Sequence, residues 1–295
     1  MKNVAQWERS LFALIRRTSV DLPADVEAAL RKAFGQEQKR GRARWILETL
    51  LANVESARRN DAPLCQDTGT LIFYFRVPVG SDTNALAAVT RTAVERATEL
   101  GYLRQNTVDA VNGAQYRTNV AHGAPVFRFE QCARETVAAS LLMKGGGSEN
   151  VGCQYSLPDA ALAADRDLEG VRRCILDAVV KAQGNGCAPG VLGVCLGGDR
   201  ATGAEVAKEQ FLRRVDDKSS VKVLGRLEQR ILKEVRQLGI GPMGLGGSTA
   251  LLGCKIGSLS RVPASYFVSV SYMCWALRRR GVVLGSNGGL CRWLY

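Results

Sequence analysis

The chain has 295 residues, of which 46% are hydrophobic and 23% charged, a composition that argues against a disordered chain and supports a well-packed core. Forty Lys and Arg against 28 Asp and Glu leave a net charge of +12, which admits nucleic acid, a membrane surface or small anions as partners. No run approaches the ~18 apolar residues of a membrane span, and Met1–Arg9 carries no apolar signal core, so a soluble cytoplasmic protein is expected.

Nine cysteines in a chain of this size, an odd number without a secretion signal, argue against a disulfide framework. Metal-binding, catalytic or buried thiols are the readings that remain. The single histidine, His122, excludes a His-rich metal site. Positive charge is dispersed, and its densest run is Arg278-Arg279-Arg280. No zinc-finger spacing, RNP signature or basic–aromatic interleaving is present, so nucleic acid ranks behind a solvated surface or an acidic small-molecule ligand.

In chain order, residues 1–60 read as helical. Leu22-Pro23-Ala24-Asp25 has the form of a helix start, with Pro23 in the first turn. Trp45, Leu47, Leu50, Leu51 and Val54 fall on helical faces, and Asn60-Asp61-Ala62-Pro63 ends the run. Leu71–Val77 is an apolar and aromatic strand candidate. Leu86, Val89, Ala93, Ala97 and Leu100 recur at helical steps, with Gly101 placed to end the helix. Strands are expected at Val126–Glu130 and Val137–Met143, and a helix at Val171–Ala182. Leu224, Leu227, Ile231, Val235 and Leu238, followed by Gly239, mark another helix. Further strands are expected at Val191–Leu196, Ala250–Ile256 and Tyr266–Met273. The order predicts a mixed α/β or α+β fold in one domain over 1–295, with a helical part over 1–60 and mixed strands and helices over 61–295.

Five segments stand out chemically: Cys65-Gln66-Asp67-Thr68-Gly69-Thr70, Lys144-Gly145-Gly146-Gly147-Ser148-Glu149-Asn150, Gly184–Gly198, Gly239–Thr249 and Cys274-Trp275-Ala276-Leu277-Arg278-Arg279. Glycine-rich loops let backbone N–H groups approach an anion, though ordinary turns use glycine as well. None has the Gly-Lys-Ser/Thr ending of a phosphate-binding P-loop. Cys65, Cys187 and Cys274 sit in these contexts. Soft thiolates suit iron–sulfur clusters or zinc; by spacing alone, buried inert thiols stay open as the alternative.

Taken together and in this order, CQDTGT, KGGGSEN, the Cys187-Ala188-Pro189 segment with its following Gly-Gly, IGPMGLGG and CWALRR resemble the α-type region of class I, iron–sulfur-dependent fumarate hydratases and tartrate dehydratases. The resemblance runs from about residue 40 to 280. It implies a 4Fe–4S cluster held by Cys65, Cys187 and Cys274, with one iron open to act as a Lewis acid. It implies a hydro-lyase acting on a C4 dicarboxylate, fumarate/malate or tartrate/oxaloacetate. Gln66 and Asp67 correspond to active-site residues of that family, and Arg104 to an arginine that grips a substrate carboxylate. Gly145, Gly146 and Gly147 would offer backbone N–H donors to a carboxylate. A β-type partner subunit, carrying further site residues and the catalytic base, is expected to complete a hetero-oligomer, with no nucleic acid or membrane involved. Cys132, Cys153, Cys174, Cys195, Cys254 and Cys291 fall outside the pattern.

The departures are specific. Where the family carries histidine twelve residues before the third cysteine, this chain has Val262. A family NTGDN-like stretch reads Gln115-Tyr116-Arg117-Thr118-Asn119. Arg261-x-Pro263 leans toward tartrate dehydratases and KGGGSEN toward fumarases. The alternative reading is a catalytically impaired paralogue that keeps the cluster as a structural or oxygen-sensing element.

Overall fold

The computed structural model describes residues 3–295. In chain order the elements are α1 (Val4–Val20), α2 (Ala24–Gln36), α3 (Arg42–Asn60), β1 (Thr70–Pro78), α4 (Thr83–Glu99), β2 (Val126–Cys132), β3 (Val137–Lys144) and α5 (Gly146–Asn150). Then follow β4 (Cys153–Ser156), α6 (Leu168–Ala182), β5 (Gly190–Leu196), α7 (Arg200–Glu209), α8 (Lys222–Val235), β6 (Leu251–Ser258), β7 (Phe267–Met273), β8 (Arg278–Leu284) and β9 (Leu290–Trp293). This is a mixed α+β fold, as the pattern of periodicities predicts. No helix among the described residues is long and apolar enough to cross a membrane.

The chain divides into two compact units. The first comprises the segment up to Pro23, Asn53–Gly146 and Arg278–Tyr295. Its five-stranded sheet has the order β2-β1-β3-β8-β9; β1 and β2 are parallel and the other pairings antiparallel. Thr70 lies opposite Lys144 and Met143 opposite Arg278, so the start of β1, the end of β3 and the start of β8 meet at one end of the sheet. The core joins Leu11, Leu14 and Ile15 of α1 and Val89 and Ala93 of α4 to Phe73, Phe75 and Leu141 of the sheet. Asp82 caps α4 by accepting the Ala85 N–H at 2.9 Å, and Gly101, the stop expected from the sequence, ends it with φ +79°.

The second unit comprises Ala24–Ala52 and Gly147–Leu277. Its four strands run β4-β7-β5-β6, with β5 and β6 parallel. Val171, Ile175 and Val179 of α6 and Leu224, Leu227 and Ile231 of α8 pack with Leu192, Val194 and Ile256 of the sheet. On α8, Glu228 is buried and accepts Arg213 Nη1 at 2.9 Å and the N–H groups of Ser219 and Ile256 at 3.1 and 2.8 Å.

The predicted strands and helices appear within a few residues of their expected ends. The short α5, β4, α7, β8 and β9 are additional. Of these, β8 corrects the reading of the basic run as solvated surface. Every residue of β8 is buried, including Arg278, Arg279 and Arg280. Each guanidinium has an interior partner. Arg280 Nη2 bonds Asp21 Oδ2 at 2.6 Å and the Leu22 carbonyl at 3.0 Å. Arg279 lies over the Tyr295 ring at 5.0 Å, and Arg278 donates to the Asp67 carbonyl at 2.6 Å. Hydropathy counts an arginine as exposed, but a buried guanidinium persists where carboxylates and carbonyls replace its water.

Asp21 also takes Arg58 Nε at 2.7 Å, so one carboxylate compensates two cations. Asp21→Ala should lower stability by about 3 kcal/mol, because it leaves Arg280 buried without its carboxylate. The loss will read as a lower denaturant midpoint at unchanged slope; an unchanged midpoint would show that the pair contributes nothing.

Candidate active site

The segment before β1 is pinned in the first unit through both backbone groups of Leu64. The Leu64 N–H donates to the Ser19 carbonyl at 2.9 Å, and Asn53 Nδ2 donates to the Leu64 carbonyl at 3.0 Å. Cys65 follows half-buried, then Gln66 exposed and Asp67 half-buried. The Asp67 carboxylate is held from two sides. Its Oδ1 accepts the Gly69 N–H at 2.9 Å and Asn106 Nδ2 at 3.4 Å; its Oδ2 accepts the Gly146 N–H at 2.8 Å. Gly69 has φ +71°, and a Cβ there would stand 2.3 Å from the Lys144 carbonyl oxygen, so only glycine closes this corner. The CQDTG and KGGG segments are therefore one structural object, joined through Asp67.

Arg104 is exposed at the edge of the same object. Its Nη1 donates to Gln66 Oε1 at 3.4 Å, and its carbonyl accepts Thr68 Oγ1 at 2.9 Å. Gly145 is buried and Gly147 exposed, while the Gly146 N–H is taken by Asp67 rather than turned to solvent. The structure thus brings together Gln66, Asp67, Arg104 and Gly146. A carboxylate with fixed oxygens beside a reachable guanidinium is suited to orienting a small anion and a proton near it.

Two further residues belong here. Arg278, 1% exposed, donates Nη2 to the Asp67 carbonyl at 2.6 Å, and its Nε and Nη1 have no hydrogen-bond partner among the described residues. Asn119 is buried and bonds the Arg104 carbonyl at 2.9 Å. Both fall within stretches that the sequence motifs mark, but a basic run and an eroded motif disguise them.

In the second unit, Cys187 has φ +56° on the turn before β5. Its carbonyl accepts the Trp275 N–H at 3.2 Å, which sets Cys187 beside the Cys274 segment. The buried Tyr272 ring packs against the turn that carries Cys187. A Cβ on Gly186 would lie 2.4 Å from that ring and one on Gly190 2.3 Å, so the glycines flanking Cys187 make room for it. Burial, with added repulsion from Cys274 and Cys187, pushes the Tyr272 phenol well above its usual range. The Gly239–Thr249 loop backs this turn: the Met243 N–H donates to the Ala188 carbonyl at 3.0 Å. Glu37 anchors the far end of the loop, accepting the Ser248 and Thr249 N–H groups at 2.9 and 2.8 Å.

All nine cysteines are free of disulfides. Burial pushes Cys174 up to about 12 and Cys195 up to about 11, and raises Cys254 further, so these three are inert core thiols. Cys187 is exposed, and Cys65 and Cys274 are half-buried. Among the described residues, no three His, Cys, Asp or Glu side chains are gathered closely enough to hold a metal ion. Cys187 and Cys274 lie on two segments of the second unit joined by the Trp275 N–H to Cys187 carbonyl bond, and Cys65 belongs to the first unit. Val262 is 63% exposed on the loop before β7, where Arg261 Nη1 bonds its carbonyl at 3.2 Å. His122 is exposed on a turn before β2.

Comparison with known proteins places the chain in a family. Residues 8–283 match the family described as Fumarate hydratase (Fumerase). The chain is 46% identical over 290 residues to a putative fumarate hydratase class I of Geobacillus stearothermophilus, covering 97% of this chain and 56% of that protein. The chain thus spans little more than half the length of that relative. It is 29% identical over 271 residues to a putative L(+)-tartrate dehydratase subunit alpha of Methanocaldococcus jannaschii, covering 90% of this chain and 93% of the relative. It is also 29% identical over 270 residues to the L(+)-tartrate dehydratase subunit alpha of Escherichia coli, covering 90% and 86%. With its motifs in order and the match spanning nearly its whole length, the chain belongs to the fumarate hydratase (Fumerase) family.

Proposed function

We propose that this chain is the α-type part of an iron–sulfur hydro-lyase that adds water to, or removes it from, a C4 dicarboxylate in the cytoplasm. The observation that carries the reading is the Asp67 carboxylate, fixed by the N–H groups of Gly69 and Gly146, with Arg104 and Gln66 alongside. A second support is the names of the relatives, fumarate hydratase and tartrate dehydratase.

Cys65, Cys187 and Cys274 are the proposed ligands of a 4Fe–4S cluster. The donor set fits: three soft thiols, reduced, none fully buried, while the deeply buried cysteines are held protonated. When bound, such a cluster supplies an open, Lewis-acidic iron that polarises the C–O bond to be broken. The protein's own residues do the rest. Arg104 takes a substrate carboxylate in its guanidinium fork, and Gln66 holds that fork in place. Asp67, with both oxygens fixed, orients the departing or attacking water. The Gly145-Gly146 backbone forms the wall beside it, with the Gly146 N–H held by Asp67. The base that removes the β-proton is assigned to a β-type partner subunit, as the alpha-subunit names of two relatives suggest.

One observation favours a second reading. Val262 leaves no imidazole at the position where the resemblance expects one, and His122 belongs to a different loop. A paralogue that retains the cluster for a structural or oxygen-sensing purpose would look the same there.

Coexpression with a β-type subunit and assay on a panel of C4 dicarboxylates separates the two readings. The hydro-lyase reading expects turnover of fumarate/malate or tartrate; a cluster-loaded complex inert on the whole panel favours the second. In the active complex, Arg104→Lys should raise KM about tenfold with a smaller change in kcat, because a fork becomes a point charge. Asp67→Asn should lower kcat about a hundredfold with KM little changed, as expected for a group that acts at the reacting centre. Equal KM in the first variant or equal kcat in the second would remove that residue from its proposed role.

A further inference from the structure

Asn119 lies in the stretch that departs most from the family pattern, yet its side chain is fully engaged. It is 3% exposed. An amide has two N–H donors and a carbonyl oxygen with two lone pairs. Here Nδ2 donates to the Arg104 carbonyl at 2.9 Å and to Thr98 Oγ1 at 3.1 Å. Oδ1 accepts the Asn106 N–H at 3.0 Å and Thr107 Oγ1 at 3.3 Å. Thr98 in turn donates to the Val94 carbonyl at 2.9 Å, which ties the amide to α4.

Arg104 and Asn106 are the two residues of this segment that reach the Asp67 loop, through Gln66 Oε1 and Asp67 Oδ1, both at 3.4 Å. Asn119 bonds the backbone of both and neither Gln66 nor Asp67. It stands one step behind the site, as a strut between a rigid helix and an otherwise irregular segment.

We propose that Asn119 is a positioning residue that fixes the Arg104 guanidinium for the dicarboxylate and so sets KM. The inference rests on the hydro-lyase reading above. A misplacement of ~1 Å at such a group is enough to cost binding, and a satisfied buried amide resists it at little exposed cost. Asn119→Asp keeps the shape but removes both donors and turns an anionic oxygen toward the Arg104 carbonyl.

The test is steady-state kinetics of the cluster-loaded complex with its β-type partner, for wild type, Asn119→Asp, Arg104→Lys and the double variant. Asn119→Asp is expected to raise KM about tenfold with kcat within about twofold and iron content unchanged. The double variant should match Arg104→Lys within about twofold, because a strut has nothing left to position once the guanidinium is gone. Should Asn119→Asp fail to assemble, Thr98→Val loosens the α4 end of the strut and should raise KM in the same direction by less. Multiplicative KM effects in the double variant, a fall in kcat alone, or an unchanged KM in either single variant would overturn the proposal. Wild-type complex inactive on every dicarboxylate would overturn the hydro-lyase reading and this inference with it, whereas active wild type with additive variants overturns the inference alone.

Discussion

The first unit depends on how one carboxylate is clasped. Asp67 accepts the N–H of Gly69 on its own loop and the N–H of Gly146 after β3, at 2.9 and 2.8 Å. Each bond is to an ionisable acceptor from a backbone donor, the kind that contributes most per bond and costs most when broken. Gly69 lies on the irregular segment just before β1, and Gly146 opens the short helix α5 directly after β3. The clasp works only because Gly69 lets the chain pass against the Lys144 carbonyl with φ +71°. From that junction follow the place of Gln66, the reach of Arg104 and the side on which Arg278 supports the loop from below, through the Asp67 carbonyl.

The basic character of the chain has an interior component. Arg280 and Arg58 share Asp21, and Arg278 reaches two carbonyls with two of its nitrogen atoms left without a partner among the described residues. Burying a guanidinium costs several kcal/mol unless anions or carbonyls take the place of water. Arg280 has that compensation in Asp21. Arg278 has it only in part, and the carbonyls it holds are those of Asp67 and Thr68, in the loop that carries Cys65. Arg278 thus places a partly uncompensated guanidinium behind the loop that carries Gln66 and Asp67.

Much of this was legible from residue order. Apolar and aromatic runs marked β1 and β3, helical spacing marked α4 and α8, the Gly101 stop came from local chemistry, and Asp67 came from the resemblance of the CQDTG motif. What failed was any feature whose driving force is tertiary. The strand at 278–284 begins with three arginines, and only the partners Asp21, Tyr295 and the Asp67 carbonyl make it an interior strand. Helix α7 is short and weakly amphipathic, and its Asp199 cap does not stand out from a polar loop. Asn119 sits in a stretch that no longer matches its motif, yet its four hydrogen bonds need only the amide, not its neighbours in sequence. The glycines around Cys187 look like an anion-binding loop in sequence; their role in space is to admit the Tyr272 ring.

The central claim is that Cys65, Cys187 and Cys274 hold a cluster while the remaining cysteines do not. Iron and acid-labile sulfide, measured on the anaerobically reconstituted chain and on Cys65→Ser, Cys187→Ser, Cys274→Ser and the exposed Cys291→Ser, address it directly. The account predicts about four irons and four sulfides in wild type and in Cys291→Ser, and a loss of the intact cluster in each of the other three. No iron in the reconstituted wild type, or full iron in all three of those variants, would contradict it.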